Sequence, residues 1–187
     1  MTRLRPSSVW FAGFAGAVIL AGVPAAAWGA GSVTFEAGQS WSDDIQVRRL
    51  AVDRAWEVGW GLAGGWRLQP RWELSAGRLR PTHPNPDPVT AEVYEVGMRL
   101  VFRLLAGRRG GPFLGIGSGP VYLTDDTVGQ HKLGNLLQFR SHAGFGWIFG
   151  PRHHLELAYR YSHTSNAHLG WPNPGVNFHT LRFGIAF

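Results

Sequence analysis

His163, Ser165 and Asn166 stand together at the end of a stretch that alternates by twos from Leu155 onwards. A serine hydroxyl is a poor nucleophile until a base takes its proton, and a nearby imidazole is the side chain suited to that task near neutral pH. Residues two apart on a β-strand share a face, so His163 and Ser165 point the same way and form a nucleophile and base pair. Leu155, Leu157, Tyr159 and Tyr161 precede them on that face, while Glu156, Ala158, Arg160 and Ser162 occupy the other. An apolar face with a tyrosine rim, backed by a polar one, is what a membrane-barrel strand shows to lipid and to lumen. The pair therefore opens toward the bilayer.

A third group comes from the last stretch of the chain. Asn177, His179, Leu181, Phe183, Ile185 and Phe187 alternate against Phe178, Thr180, Arg182, Gly184 and Ala186, which places Asn177 on the outward face as well. A short return through Asn173-Pro174-Gly175 brings it beside the end of the preceding strand. There its amide can hydrogen-bond to the imidazole and fix the tautomer.

The elements that must position these residues are strands. No segment beyond the amino terminus approaches the roughly 18 uninterrupted apolar residues of a membrane helix, and strands closed into a barrel are the other way to cross a bilayer. Eight segments alternate: about 31–41, 44–56, 62–79, 91–105, 112–124, 135–149, 153–166 and 177–187. The clearest sets Tyr94, Val96, Met98, Leu100, Phe102 and Leu104 against Glu95, Gly97, Arg99, Val101 and Arg103. A soluble barrel would turn the apolar face inward, and alternation alone does not tell inside from outside. Size decides, because an eight-stranded barrel has room inside only for packed side chains. Trp, Phe, Leu and Tyr fit poorly there, whereas Gly, Ser, Arg, Glu and Gln fill it with a hydrogen-bonded network. The sequence thus predicts an all-β, up-and-down, eight-stranded antiparallel transmembrane β-barrel with a polar plug. Both termini lie on the side of the short turns, such as Phe149-Gly150-Pro151-Arg152. Longer connections at 80–90 and 125–134 lie on the outer side with the His163 strand end.

The amino terminus reads as an address. Arg3 and Arg5 supply the charge, Val9 to Ala21 the apolar run, and Ala25 to Gly29 the small residues that signal peptidase requires. Residues 1–29 are expected to be a signal peptide and 30–187 the barrel domain. The chain has no cysteine, so no disulfide scaffold is expected. Its formal charge of +6 suits an anionic lipid surface as well as nucleic acid, and export disfavours nucleic acid.

His163-Thr164-Ser165-Asn166-Ala167, followed by Pro172-Asn173-Pro174-Gly175-Val176 and a terminal strand to Phe187, resembles the lipid A 3-O-deacylases, the PagL family. The resemblance is strongest over 112–187 and weaker over 31–111. It implies an outer-membrane barrel with an outward-facing serine hydrolase site that removes the ester-linked acyl chain at position 3 of lipid A. On that basis Ser165 is the nucleophile and His163 the base. Asn166 and nearby backbone N–H groups, Ala167 among them, stabilise the oxyanion. The family's acid, usually Glu or Asp, falls at Asn177, whose amide orients the imidazole without giving it a full charge. Parity puts the Asn166 side chain on the lumen face, so an oxyanion role requires the strand to bend there.

The expected partners are lipid A or lipopolysaccharide as substrate and the bacterial outer membrane, with no nucleic acid; a homodimer is among the assemblies open to the chain. No cofactor or metal is expected, since His163, His168 and His179 lack a carboxylate or thiol to complete a zinc site. Gly115-Ile116-Gly117-Ser118-Gly119 is read as small residues packed in a narrow barrel, and Tyr159 and Tyr161 as interfacial anchors. Two other readings stay open: a non-catalytic structural or adhesion barrel in which Asn177 marks lost activity, and a barrel palmitoyltransferase, which the glycines and arginines of the inward face disfavour.

Overall fold

The computed structural model describes residues 28–82, 92–107, 110–150 and 154–187. The expected signal sequence lies, up to residue 27, outside them. So do Arg108-Arg109, most of the 80–90 connection and Pro151-Arg152 of the short turn. Among the described residues no helix is long and apolar enough to cross a membrane.

Eight long strands carry the fold: β1 (Trp28–Ser40), β2 (Ile45–Trp56), β3 (Trp66–Pro81), β4 (Val93–Ala106), β5 (Gly111–Leu123), β6 (Leu137–Phe149), β7 (Leu155–Ser165) and β8 (Val176–Ala186). Each pairs antiparallel with its neighbours in sequence, and β1 pairs with β8, closing the ring. All eight lie within a few residues of the segments that the alternation predicts. A short strand at Trp60–Gly61 extends the β3 edge, and a small hairpin, Thr127–Val128 with His131–Lys132, lies over the outer end.

One hydrogen-bonded row fixes the slant of the wall. From Gln46 on β2 it runs through Gln39, His179, Tyr161, Ala143, Ile116, Phe102 and Pro70. The pairing of Arg71 with Ala55 then returns it to β2 at Trp56, ten residues from its start. With strands about 4.8 Å apart and about 3.3 Å per residue, this shear tilts the strands by about 40°.

The outward face is apolar: Val33, Phe35, Leu50, Val96, Met98, Leu114, Ile116, Phe145, Leu157, Leu181 and Phe183 are exposed. Exposed Trp41, Tyr94 and Tyr122 ring its outer end, and exposed Trp56, Trp147 and Phe187 its inner end, the two girdles of a membrane barrel. The lumen holds a charged lattice. Arg182, fully buried, meets Asp53 and Glu73 and lies 2.9 Å from Glu156. Arg160 reaches Glu73 at 2.9 Å and Glu36 at 3.2 Å, Arg49 bridges Glu36 at 2.8 Å to Glu95, and Arg103 holds Glu156 at 2.6 Å. Arg71, Arg99 and Arg140 pair with Asp53, Glu73 and Glu95. Inward glycines leave room for this plug: a Cβ on Gly117 would fall 2.5 Å from His142 Cε1, and one on Gly119 2.0 Å from the Met98 carbonyl oxygen.

One feature departs from the expected polar interior. At the outer end Ile45, Val47, Leu79, Val93, Leu123 and Phe178 turn inward and pack with Val128 of the hairpin and Leu133. The lattice ends below this level, so the hairpin and the strand tips bury an apolar cap against one another there. The interior is thus apolar near the rim, which alternation alone does not reveal.

Candidate active site

β7 ends at Ser165 and β8 begins at Val176, and the pairing of His163 with Asn177 is among the last rungs between them. The two side chains leave the same face, and Asn177 Oδ1 lies 2.8 Å from His163 Nδ1. The amide oxygen accepts the Nδ1–H, which leaves Nε2 as the basic nitrogen. His163 is exposed, Ser165 and Asn177 are half-buried, and the intervening Ser162 and Thr164 are buried in the lumen. The outward placement read from parity is the one observed.

Gly175 brings the ring and the serine together. Its φ is +67°, a conformation that favours glycine. A Cβ built on it would lie 2.6 Å from His163 Cε1, 3.1 Å from Nε2 and 3.4 Å from Ser165 Cβ. One small volume therefore touches both the basic nitrogen and the carbon that carries the hydroxyl. Among the described residues no hydrogen bond joins Ser165 to His163; in the absence of substrate such bonds are often long and tighten when the site is occupied.

The segment after Ser165 is held from inside. Asn166 is fully buried, and its Nδ2 donates to the carbonyls of Leu133 at 2.9 Å, Gly170 at 3.0 Å and Pro172 at 3.1 Å. Its backbone N–H donates to Asn173 Oδ1 at 2.9 Å. The expected oxyanion role of Asn166 is therefore not supported by this arrangement: both its donors are engaged, and its side chain points away from the outward face. Asn166 is instead the staple of the loop. The N–H of Leu169 donates to the Asn166 carbonyl at 2.9 Å, and between them Ala167 and His168 adopt φ of +52° and +64°. This is a type I′ turn built without glycine, a strained conformation that the surrounding contacts must hold. Ala167 is exposed, and among the described hydrogen bonds none uses its N–H.

Sequence reasoning missed three further contributors. His131, on the hairpin, meets the Gly175 carbonyl through Nε2 at 3.1 Å and Asp43 through Nδ1 at 3.4 Å, pinning the glycine from 44 residues away. Tyr159, read as an interfacial anchor, hydrogen-bonds His179 Nδ1, and Trp41 packs on the same imidazole at 4.8 Å between ring centroids. Ser141 faces His163 across the β6–β7 pair and shares a hydrogen bond of 2.9 Å with Ser118. Outward polar residues in a lipid-facing wall, namely His179, Ser141 and Ser118, were the available signal. Among the described residues no group of three His, Cys, Asp or Glu side chains forms a metal site.

Comparison with known proteins sets this geometry in a lineage. The structure superposes on the crystal structure of the outer membrane enzyme PagL with a TM-score of 0.70 and 24% identity, over 82% of this chain and 98% of that one. The N-terminal β-barrel domain of Pseudomonas aeruginosa OprF aligns at a TM-score of 0.51 with 12% identity, over 84% and 97% of the two chains, and shows the shared barrel alone. Lipid A deacylase PagL of Bordetella bronchiseptica is 30% identical over 95 residues, a match spanning about half of each protein, 51% in both cases. The family model described as lipid A 3-O-deacylase (PagL) matches residues 47–186, from β2 to the last residue of β8 and across every residue of the site. By that match the chain belongs to the PagL family of lipid A 3-O-deacylases.

Proposed function

We propose that this chain is an outer-membrane esterase that hydrolyses the 3-O-linked acyl chain of lipid A, with Ser165 as nucleophile, His163 as base and Asn177 as the group that orients the imidazole. The observation that carries the reading is the 2.8 Å contact between His163 Nδ1 and Asn177 Oδ1 on the lipid-facing side of the wall, with Ser165 two residues along the same face. Membership of the PagL family supplies the substrate class. Residues 1–29 act as the export signal in this reading.

Ser165 Oγ attacks the ester carbonyl carbon as its proton passes to His163 Nε2, and the carbonyl π electrons move onto oxygen. The backbone N–H of Ala167, in the turn held by Asn166, donates to that oxyanion. Collapse of the intermediate breaks the bond to the sugar oxygen, which takes the proton back from His163. Water, deprotonated by His163, then attacks the acyl-serine and releases the fatty acid and free Ser165. Losing one oxyanion donor typically costs about 10²–10³ in rate, so the turn after Ser165 contributes alongside the base. Specificity comes largely from place, because a site at the outer rim of the wall meets an ester in the outer leaflet without extracting the lipid.

Expression in a bacterium that makes lipid A, followed by mass spectrometry of the extracted lipid, tests the reading. The expected result is loss of one 3-hydroxyacyl group with the wild-type chain and intact lipid A with Ser165→Ala. Intact lipid A with correctly inserted wild-type protein would favour the structural-barrel reading, to which the amide at position 177 lends itself.

A further inference from the structure

At the outer end of the barrel three arginines stand on the wrong side of the wall for a membrane protein. Arg48 on β2 and Arg78 and Arg80 on β3 share the outward face: Arg48 pairs with Arg78, and Gln46 with Arg80. Their side chains are open, 37% exposed for Arg78 and 62% for Arg80. The lumen arginines are each matched by carboxylates, but here the described ion pairs supply only Glu92, 3.2 Å from Arg78 and 3.9 Å from Arg80. Among the described residues this cluster therefore carries two more cations than carboxylates.

The register places this patch level with the site. The row that holds Tyr161, two residues below His163, continues through His179, Gln39 and Gln46 to Arg80. Followed the opposite way round, it descends to Trp56 at the inner end of β2, so it climbs from β7 toward β3. At a tilt of about 40° the climb is about 3 Å per strand and about 2.5 Å per residue. Four strands raise Arg80 by about 12 Å above Tyr161, and four residues raise Ser165 by about 10 Å. By the same reckoning Arg48 lies level with His163 to within about 1 Å, and Arg78 falls between the two heights. The arginines and the site therefore occupy one depth in the bilayer, three to four strands apart.

A groove of about 520 Å³ lies between them. It crosses the outer face of β8, β1 and β2, with Tyr159 and His179 on one bank, Gln46 and Arg48 on the other and the small Ala37 between. Its near bank at His179 lies two residues along β8 from Asn177. Its far end opens into the cleft among Gln46, Arg48, Arg78 and Arg80. On the opposite flank Phe139 faces Ser165 across the strand pair, with exposed Tyr122 beyond it and the uncharged Ser141–Ser118 pair beside His163. A molecule reacting at Ser165 thus meets uncharged, largely aromatic surface on one side and polar, then cationic, surface on the other.

We propose that Arg48, Arg78 and Arg80 form a phosphate-binding subsite that seats the phosphorylated sugar headgroup of the outer-leaflet glycolipid while its ester lies at Ser165. The assignment rests on the deacylase reading for the ester at Ser165, but the subsite binds whether or not the ester is cleaved. Guanidinium forks suit phosphate oxygens. At interfacial depth the charges cost the folded barrel little, and they attract anionic headgroups. The same chemistry would accept free inorganic phosphate, and the structure favours the lipid because the patch shares the depth of the site and a groove runs from it toward the β7–β8 side of the wall.

The test uses the full-length protein in detergent micelles, in a Ser165→Ala background so that no turnover intervenes. Binding is measured to lipid A and to the same lipid A after its phosphates are removed enzymatically. The expected result is a preference of about tenfold or more for the phosphorylated lipid, collapsing toward one in R48Q/R78Q/R80Q. A preference that survives the triple substitution overturns the subsite. If the triple variant does not insert, Arg80→Gln alone should lower the preference by about a third of its logarithm, and an unchanged preference overturns the proposal equally. Inorganic phosphate in a second arm, matched in ionic strength with chloride, should fail to displace the lipid; displacement would overturn the headgroup assignment in favour of a free-anion site. A chain that binds with this preference but never cleaves lipid A in the cell contradicts the deacylase reading and not the subsite.

Discussion

At the level of single residues the centre is defined by what holds each group. The amide of Asn177 accepts the Nδ1–H of His163 and carries no charge to meet the imidazolium that the proposed mechanism forms. In the chymotrypsin triad, replacing the aspartate by asparagine lowers turnover about 10⁴-fold, whereas papain-like proteases work natively with asparagine. Asn177→Asp keeps the side-chain length and the 2.8 Å contact and adds the charge, so it is expected to raise kcat for lipid A deacylation by about tenfold or more. Quantitative mass spectrometry of deacylated product against time measures it. An unchanged or lower rate would mean that the amide already positions the ring as well as a carboxylate would. Asn166, next to Ser165, works inward: it closes three carbonyls of the rim so that the turn after Ser165 keeps its left-handed residues.

Among the elements, the loop between β7 and β8 decides whether two strand ends become a site. It reverses under Gly175, whose carbonyl is pinned by His131 of the small hairpin, and it leaves no space for a side chain above the His163 ring. Gly175→Ala places a methyl 2.6 Å from Cε1 at a backbone angle of +67°, so either the ring swings off Asn177 or the loop lifts. Loss of about 10²-fold in kcat is expected, in line with the sensitivity of near-attack geometry to a displacement of about 1 Å. The barrel lattice is untouched, so its unfolding midpoint in denaturant should move far less than the activity. A proportionate loss of both would show that Gly175 serves folding instead.

For the whole molecule, a plugged lumen is the physical basis of a rigid wall. Glu73 is buried and meets Arg99, Arg160 and Arg182. Glu73→Leu takes from Arg99 the carboxylate it is paired with and from Arg160 and Arg182 one of theirs, leaving excess charge in a buried space, and should destabilise the barrel by about 3–5 kcal/mol, read as a lower denaturant midpoint in equilibrium unfolding from micelles. Retention of wild-type stability would mean that the remaining carboxylates redistribute over the arginines. The ten-residue shear slants each row, so that residues far apart in sequence arrive at one membrane depth.

Much of this was legible in the order of residues. Alternation of period two, sustained over eight stretches with Gly, Arg and Glu opposite Trp, Leu and Phe, determined strands, a barrel too narrow to hide aromatic side chains, and the lipid-facing direction of His163, Ser165 and Asn177. Those inferences need only that a strand has two faces and that a small cylinder has little room. Tertiary structure alone decided the rest. The Asn166 amide is drawn inward by carbonyls from Leu133, Gly170 and Pro172, His131 arrives on Gly175 across 44 residues, and an apolar cap fills the rim where the charged lattice stops. Each depends on which loop lies over which strand end, a relation set by closure of the ring and absent from any local pattern.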